Sequence, residues 1–113
     1  MSLDFYLTTP EVDLGADEPF VGRVFERNIT HNVSSMWTKA GCHDELYDSE
    51  GKLAQDIIPA LVKARDDMEQ NPKEYKKLDP PNGWGDFEGA FRFLEAVLKA
   101  CRKYPKAVIR ISA

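Results

Sequence analysis

Two short stretches of the chain carry the residue types that chemistry uses. They are Asn28-Ile29-Thr30-His31-Asn32 and Asn82-Gly83-Trp84-Gly85. Each leads into a helical pattern, and a helix start presents free N–H groups and a positive dipole end. Such a place suits an anion or an oxygen-rich ligand. His31 adds a donor, an acceptor or a proton relay near neutral pH. Trp84, between two glycines, offers a flat face for stacking, and Arg27 offers a guanidinium for a phosphate. The expected ligand-binding set is therefore Thr30, His31, Asn32, Arg27, Asn82, Gly83, Trp84 and Gly85. A plainer reading stands beside it. Thr30 and Asn32 are ordinary helix caps, Pro-Pro-Asn-Gly is ordinary turn chemistry, and Trp84 is a lid over the core.

Other chemistry is weaker. Cys42-His43-Asp44-Glu45 offers metal-ligand types, but adjacent residues seldom converge on one ion, and the paired spacings of zinc sites are missing. No metal and no cofactor are expected. Cys42 and His43 are sequence neighbours, which rarely gives the geometry of a nucleophile and its base. There is no phosphate-cradling Gly-rich loop, no Gly-x-Gly-x-x-Gly and no Gly-x-Ser-x-Gly. No catalytic residue is assigned; in an enzyme, His31 would be the acid or base. Cys42 and Cys101 are read as reduced thiols in a cytosol.

Regular elements must position these stretches. Leu3, Phe5 and Leu7 alternate with polar residues, which predicts a strand over Leu3–Thr8. An acidic loop follows from Pro10 to Pro19, then a second strand over Phe20–Ile29 that pairs back on the first. Val33, Met36, Trp37 and Ala40 fall at helical spacing, with Gly41 as a stop. Cys42–Gly51 reads as irregular, with a turn of helix carrying Leu46 and Tyr47. A second helix spans Lys52–Gln70, with Pro59 as either a kink or the true start. Asn71-Pro72-Lys73-Glu74 opens one or two turns that bury Tyr75 and Leu78. The third helix, Asp86–Tyr104, has the widest apolar face: Phe87, Ala90, Phe91, Leu94, Val97, Leu98 and Cys101. Glu88–Arg92 and Glu95–Lys99 are placed to pair across its surface. A last strand follows over Ala107–Ser112.

The order β-β-α-α-α-β implies one α+β domain over residues 1–113, with a small, mostly antiparallel three-stranded sheet covered on one face by helices. A chain of 113 residues fits a single domain, which usually runs to roughly 100–150. No apolar run approaches the ~20 residues of a membrane span, and the opening residues lack the pattern of a signal peptide. The formal charge of −4 argues against a dedicated nucleic-acid binder. Lys99, Arg102, Lys103, Lys106 and Arg110 are nevertheless acid-free neighbours, read as the solvated end of a helix.

The combination of Leu-Asp-Phe-Tyr-Leu, Asn-Ile-Thr-His-Asn, Pro-Pro-Asn-Gly-Trp-Gly and Ala-Cys-Arg-Lys-Tyr-Pro-Lys-Ala resembles a group of small uncharacterised proteins of bacteria and their phages. The resemblance implies a cytoplasmic accessory protein carried by a phage or prophage, and brings no catalytic residue; a factor that interferes with host defence fits the small size and the absence of catalytic motifs. The leading expectation is a non-enzymatic binding domain for a small molecule or a host protein. One alternative is a small hydrolase or transferase acting on a nucleotide-like substrate through His31. Another is a structural subunit, with Leu3–Thr8 or Val108–Ser112 as an open edge strand for a homodimer.

Overall fold

The computed structural model describes residues 2–11 and 20–113, and the side chains of 10, 11, 20 and 21 are outside it. The expected acidic loop lies, beyond Glu11, outside the described residues. Strands β1 (Ser2–Glu11), β2 (Phe20–Thr30) and β3 (Val108–Ser112) form one antiparallel sheet in the order β2-β1-β3. The helices are α1 (Ser34–Ala40), α2 (His43–Tyr47), α3 (Ala54–Gln70), α4 (Pro72–Lys76) and α5 (Phe87–Lys103). The α+β class and the helix-covered sheet are thus as the patterns predict. No helix among the described residues is long and apolar enough to cross a membrane.

Alternation explains the sheet. Leu3, Phe5 and Leu7 point to one side and are fully buried beneath α3 and α5. Asp4 and Tyr6 point to the other side, where Asn28 donates to Asp4 and the Arg23 guanidinium lies 4.5 Å from the Tyr6 ring centre. One face is core and the other is polar, as expected of an antiparallel sheet half in water.

β1 is the central strand, so Leu3–Thr8 is not an edge. It pairs with β2 along its length on one side and with β3 over Asp4–Thr8 on the other, so this stretch has both neighbours already. The true edges are both guarded. β2 breaks register opposite Leu7/Thr8 and exposes Arg23, Glu26 and Arg27, and bulges and charges both discourage edge pairing. The outer edge of β3 is occupied by the 50–53 segment. Gly51 N–H donates to Ile109 O, Ile109 N–H donates to Lys52 O, and Ile111 N–H donates to the Glu50 carboxylate, each at 2.8 Å.

Helix ends follow local chemistry. Gly41 ends α1 at φ +80, a left-handed conformation that favours glycine. α3 begins at Ala54, five residues before Pro59, so the proline is neither its start nor its stop. Its first free amides, Ala54 and Gln55, donate to Ala107 O and Pro105 O, which ties the helix start to the turn before β3. Asn71 precedes Pro72 at the start of α4, and Tyr75 is buried there with its hydroxyl donating to Asp67.

α5 matches α3 in length, is the more strongly amphipathic of the two, and packs on α3 and β2. Its core face includes Phe93, fully engaged with the Trp37 ring at 5.8 Å, whereas Phe91 is only half-buried. The Glu88–Arg92 and Glu95–Lys99 pairs are not closed to ion-pair distance among the described residues. Arg92 lines a groove against β2 instead.

Candidate functional site

The fold brings the two singled-out stretches into contact. Thr30 ends β2 and caps the 3-10 turn His31–Val33 by accepting from Asn32 N–H at 3.2 Å. The Asn32 side-chain amide then reaches across to donate to Trp84 O at 3.3 Å. On its other side Trp84 N–H donates to the Asn82 carboxamide oxygen at 3.0 Å. The backbone of Trp84 is therefore held from both directions. Gly83 and Gly85 flank it at φ +74 and +97, conformations that side chains other than glycine's strain to adopt. Gly85 also lies so close to Thr30 that a Cβ there would stand 2.7 Å from the Thr30 methyl.

The outcome for the indole is decisive. Trp84 is 72% exposed, the one large hydrophobic side chain so displayed among the described residues. It is not a lid over the core. The glycines and asparagines fix its backbone while the ring projects into solvent.

Beside this loop, β2 and the start of α5 enclose an open groove of about 400 Å3. Arg27 reaches it because it pairs with Phe5, which turns it towards the helix side of the sheet, yet it stands on an edge strand. Its guanidinium is exposed at the rim, and Arg92 enters from α5. Ile29, Ala90 and Phe93 supply an apolar floor. The arginine ion pairs of the described residues are Arg23–Glu26, Arg65–Asp66 and Arg110–Glu50, so Arg27 and Arg92 face the groove without a carboxylate partner.

The expected anion site at the helix starts is not built. Phe87 N–H at the head of α5 donates to Asp79 at 2.8 Å, and Gly89 N–H donates to Asp86 at 2.7 Å. Both amides already face a carboxylate, and Asp86 also lines the groove, so a second anion there would be repelled. The other helix start is a single turn with its own cap. Any anion in the groove would rest on the two guanidiniums.

His31 does not face this groove. Its Nδ1 lies 2.7 Å from the Tyr47 hydroxyl. Tyr47 in turn stacks on His43, rings parallel within 5° and 4.5 Å apart, and burial raises its phenol pKa. This His31–Tyr47–His43 column escapes a motif search, since His31 and Tyr47 are 16 positions apart; the signal for its second half is the i, i+4 spacing of His43 and Tyr47 on α2. Arg92 and Phe93 were likewise invisible as groove residues, because only tertiary packing turns them towards β2.

The Cys42–Glu45 segment behaves differently from a nucleophile site. Burial, reinforced by the nearby Glu45 charge, pushes the Cys42 thiol up to about 12, and burial alone takes Cys101 to about 12. Neither forms thiolate near neutral pH. His43, Asp44 and Asp48 place donor atoms within 4.8 Å of one another. Tetrahedral zinc at about 2.0–2.1 Å from each ligand needs donors about 3.3 Å apart, so half-buried His43 and the two exposed aspartates would have to close inwards to share an ion.

Comparison with known protein families, with curated proteins and with solved structures finds no match to this chain.

Proposed function

We propose that the protein is a non-enzymatic binding domain whose recognition surface joins the Trp84 loop to the Arg27–Arg92 groove. The observation that carries this reading is the clamped, outward Trp84. Exposing an indole forgoes the ~1.5–3 kcal/mol that burying a large apolar side chain contributes, and two asparagine bonds and two left-handed glycines hold it in that position. Rigid aromatic anchors of this kind dominate recognition surfaces, since they bring contact area at little entropic cost. The two guanidiniums, which have no carboxylate partner among the described residues, favour a ligand with an acidic group beside the part that meets Trp84. An accessory factor that sequesters a host protein is one form this activity would take.

The test is a paired capture. The protein and its Trp84→Ala variant, matched for folding by circular dichroism, are immobilised and exposed to extract from cells of the source organism. A species retained by the unaltered protein is expected to fall at least about tenfold with the variant, the loss typical of a removed aromatic anchor. Equal retention by both would remove Trp84 from recognition. Loss with Arg27→Glu but not with Trp84→Ala would move recognition into the groove alone.

A further inference from the structure

The two edges of the sheet are finished differently. The outer side of β3 is closed by the 50–53 segment. β2 has no such cover. Its ladder is with β1 alone, and no backbone group of residues 25–29 bonds to any other segment among the described residues. In an antiparallel ladder every other residue turns its N–H and C=O outwards, so this edge offers a row of backbone groups to a further strand. The register break protects only part of it. That break lies opposite Leu7/Thr8, and from Phe25 to Thr30 the pairing with β1 runs unbroken.

The Arg27–Arg92 groove lies along this same stretch. Arg27, Asn28, Ile29 and Thr30 all line it. Neighbours in a strand point to opposite faces, so a groove lined by four in succession follows the edge of the strand and meets its backbone. The start of α5 forms the far wall, and Ile29, Ala90 and Phe93 give the apolar floor. An extended segment laid there would bond to β2 through its main chain and set alternate side chains on that floor. The walls choose its charge. Arg27 and Arg92 have no carboxylate partner among the described residues, whereas Asp86, the one acid of the lining, accepts from Gly89 N–H. Arg27 thus discourages a strand of like charge and favours an acidic one.

We infer that this groove takes an extended, acidic polypeptide segment, which adds to β2 as a fourth strand and places a carboxylate between Arg27 and Arg92. The inference rests on the recognition surface proposed above and names its partner as a peptide bound through the backbone.

Random linear peptides displayed on phage are the probe, selected against the full chain. Sequences rich in Asp and Glu are expected to be enriched. Added as synthetic peptides near saturation, they should slow hydrogen exchange at alternate amides of residues 25–29 at least about tenfold, read by NMR. The exposed pair Arg27→Glu/Arg92→Glu should weaken binding at least about tenfold. No enriched peptide, or binding that leaves these amides unprotected or survives the double variant, would overturn the inference. So would protection that grows with protein concentration alone, since it would assign the edge to a second copy of the chain. The two readings fail separately. Extract capture that depends on Trp84, with no peptide selected, keeps the Trp84 surface and removes the added strand. A peptide that protects 25–29 equally in Trp84→Ala keeps the strand and removes Trp84.

Discussion

The two tryptophans of this chain are put to opposite uses. Trp37 lies on α1 and is fully buried, tilted against Phe93 of α5. Trp84 lies in a loop three positions before the start of α5 and is 72% exposed. Burial of Trp37 prevails even though its indole N–H has no acceptor among the described residues. An orphaned donor costs about 1–3 kcal/mol, and truncating a buried Trp costs about 3–5. The difference between the two is therefore set by neighbours. Trp37 sits on a helix whose stripe turns to α3 and to Phe93 of α5, whereas Trp84 is lifted away by two glycines and tethered by polar side chains.

The largest test of that contrast is a pair of truncations. Trp37→Ala should lose about 3–5 kcal/mol, a large share of the roughly 5–15 that a domain possesses. Trp84→Ala should stay within about 0.5 kcal/mol, as exposed substitutions do. Urea unfolding of both variants measures it, and similar midpoints would dissolve the distinction. An intermediate effect is expected of Gly85→Ala. The left-handed backbone alone costs about 1–2 kcal/mol, and the new methyl would press on the Thr30 methyl. Because Asn32 holds Trp84, the loop should shift, and the Trp84 emission with it; unchanged stability and emission would show that the junction is slack.

The smallest effect lies far from both indoles. Glu50 accepts from Arg110 at 2.8 Å and from Ile111 N–H at 2.8 Å, and these bonds hold its carboxyl below the ordinary glutamate range. A carboxyl whose pKa is lower in the folded chain stabilises above its unfolded value, and that contribution is lost as pH falls through the folded one. Glu50→Gln should thus flatten the acid limb of the stability curve and move neither Trp37 nor Trp84 emission. An acid limb identical to that of the unaltered protein would assign the bond no weight.

Legibility in the sequence follows the range of the interaction. The face of β1, the stop at Gly41, the proline-opened α4 and the stripe of α5 depend on near neighbours, and residue types announce them. The two phenylalanines of α5 show the limit. Phe91 and Phe93 both fit a wide apolar face, and only the position of Trp37 decides that Phe93 is the buried one. The central place of β1 depends on pairing with a strand about a hundred residues away. At the site, the Thr30–Asn32 and Asn82–Gly85 stretches were readable as loop-to-helix junctions rich in hydrogen-bonding groups. That Asn32 bonds to Trp84, that His31 turns to Tyr47, and that Asp79 and Asp86 already occupy the amides of α5 are consequences of packing that no local pattern carries.

The slot that receives β3 has a kinetic consequence. The strand lies between β1 and the 50–53 segment, and Thr8 Oγ1 donates to Val108 O across 100 positions of sequence. The β1–β2 hairpin closes over far fewer residues, so it is the sooner formed. Until α5 has docked and carried β3 into place, one side of β1 presents unpaired amides beside Leu3, Phe5 and Leu7. Refolding should then show a late phase reported by β3, and dilution should protect the yield by keeping those half-covered sheets apart.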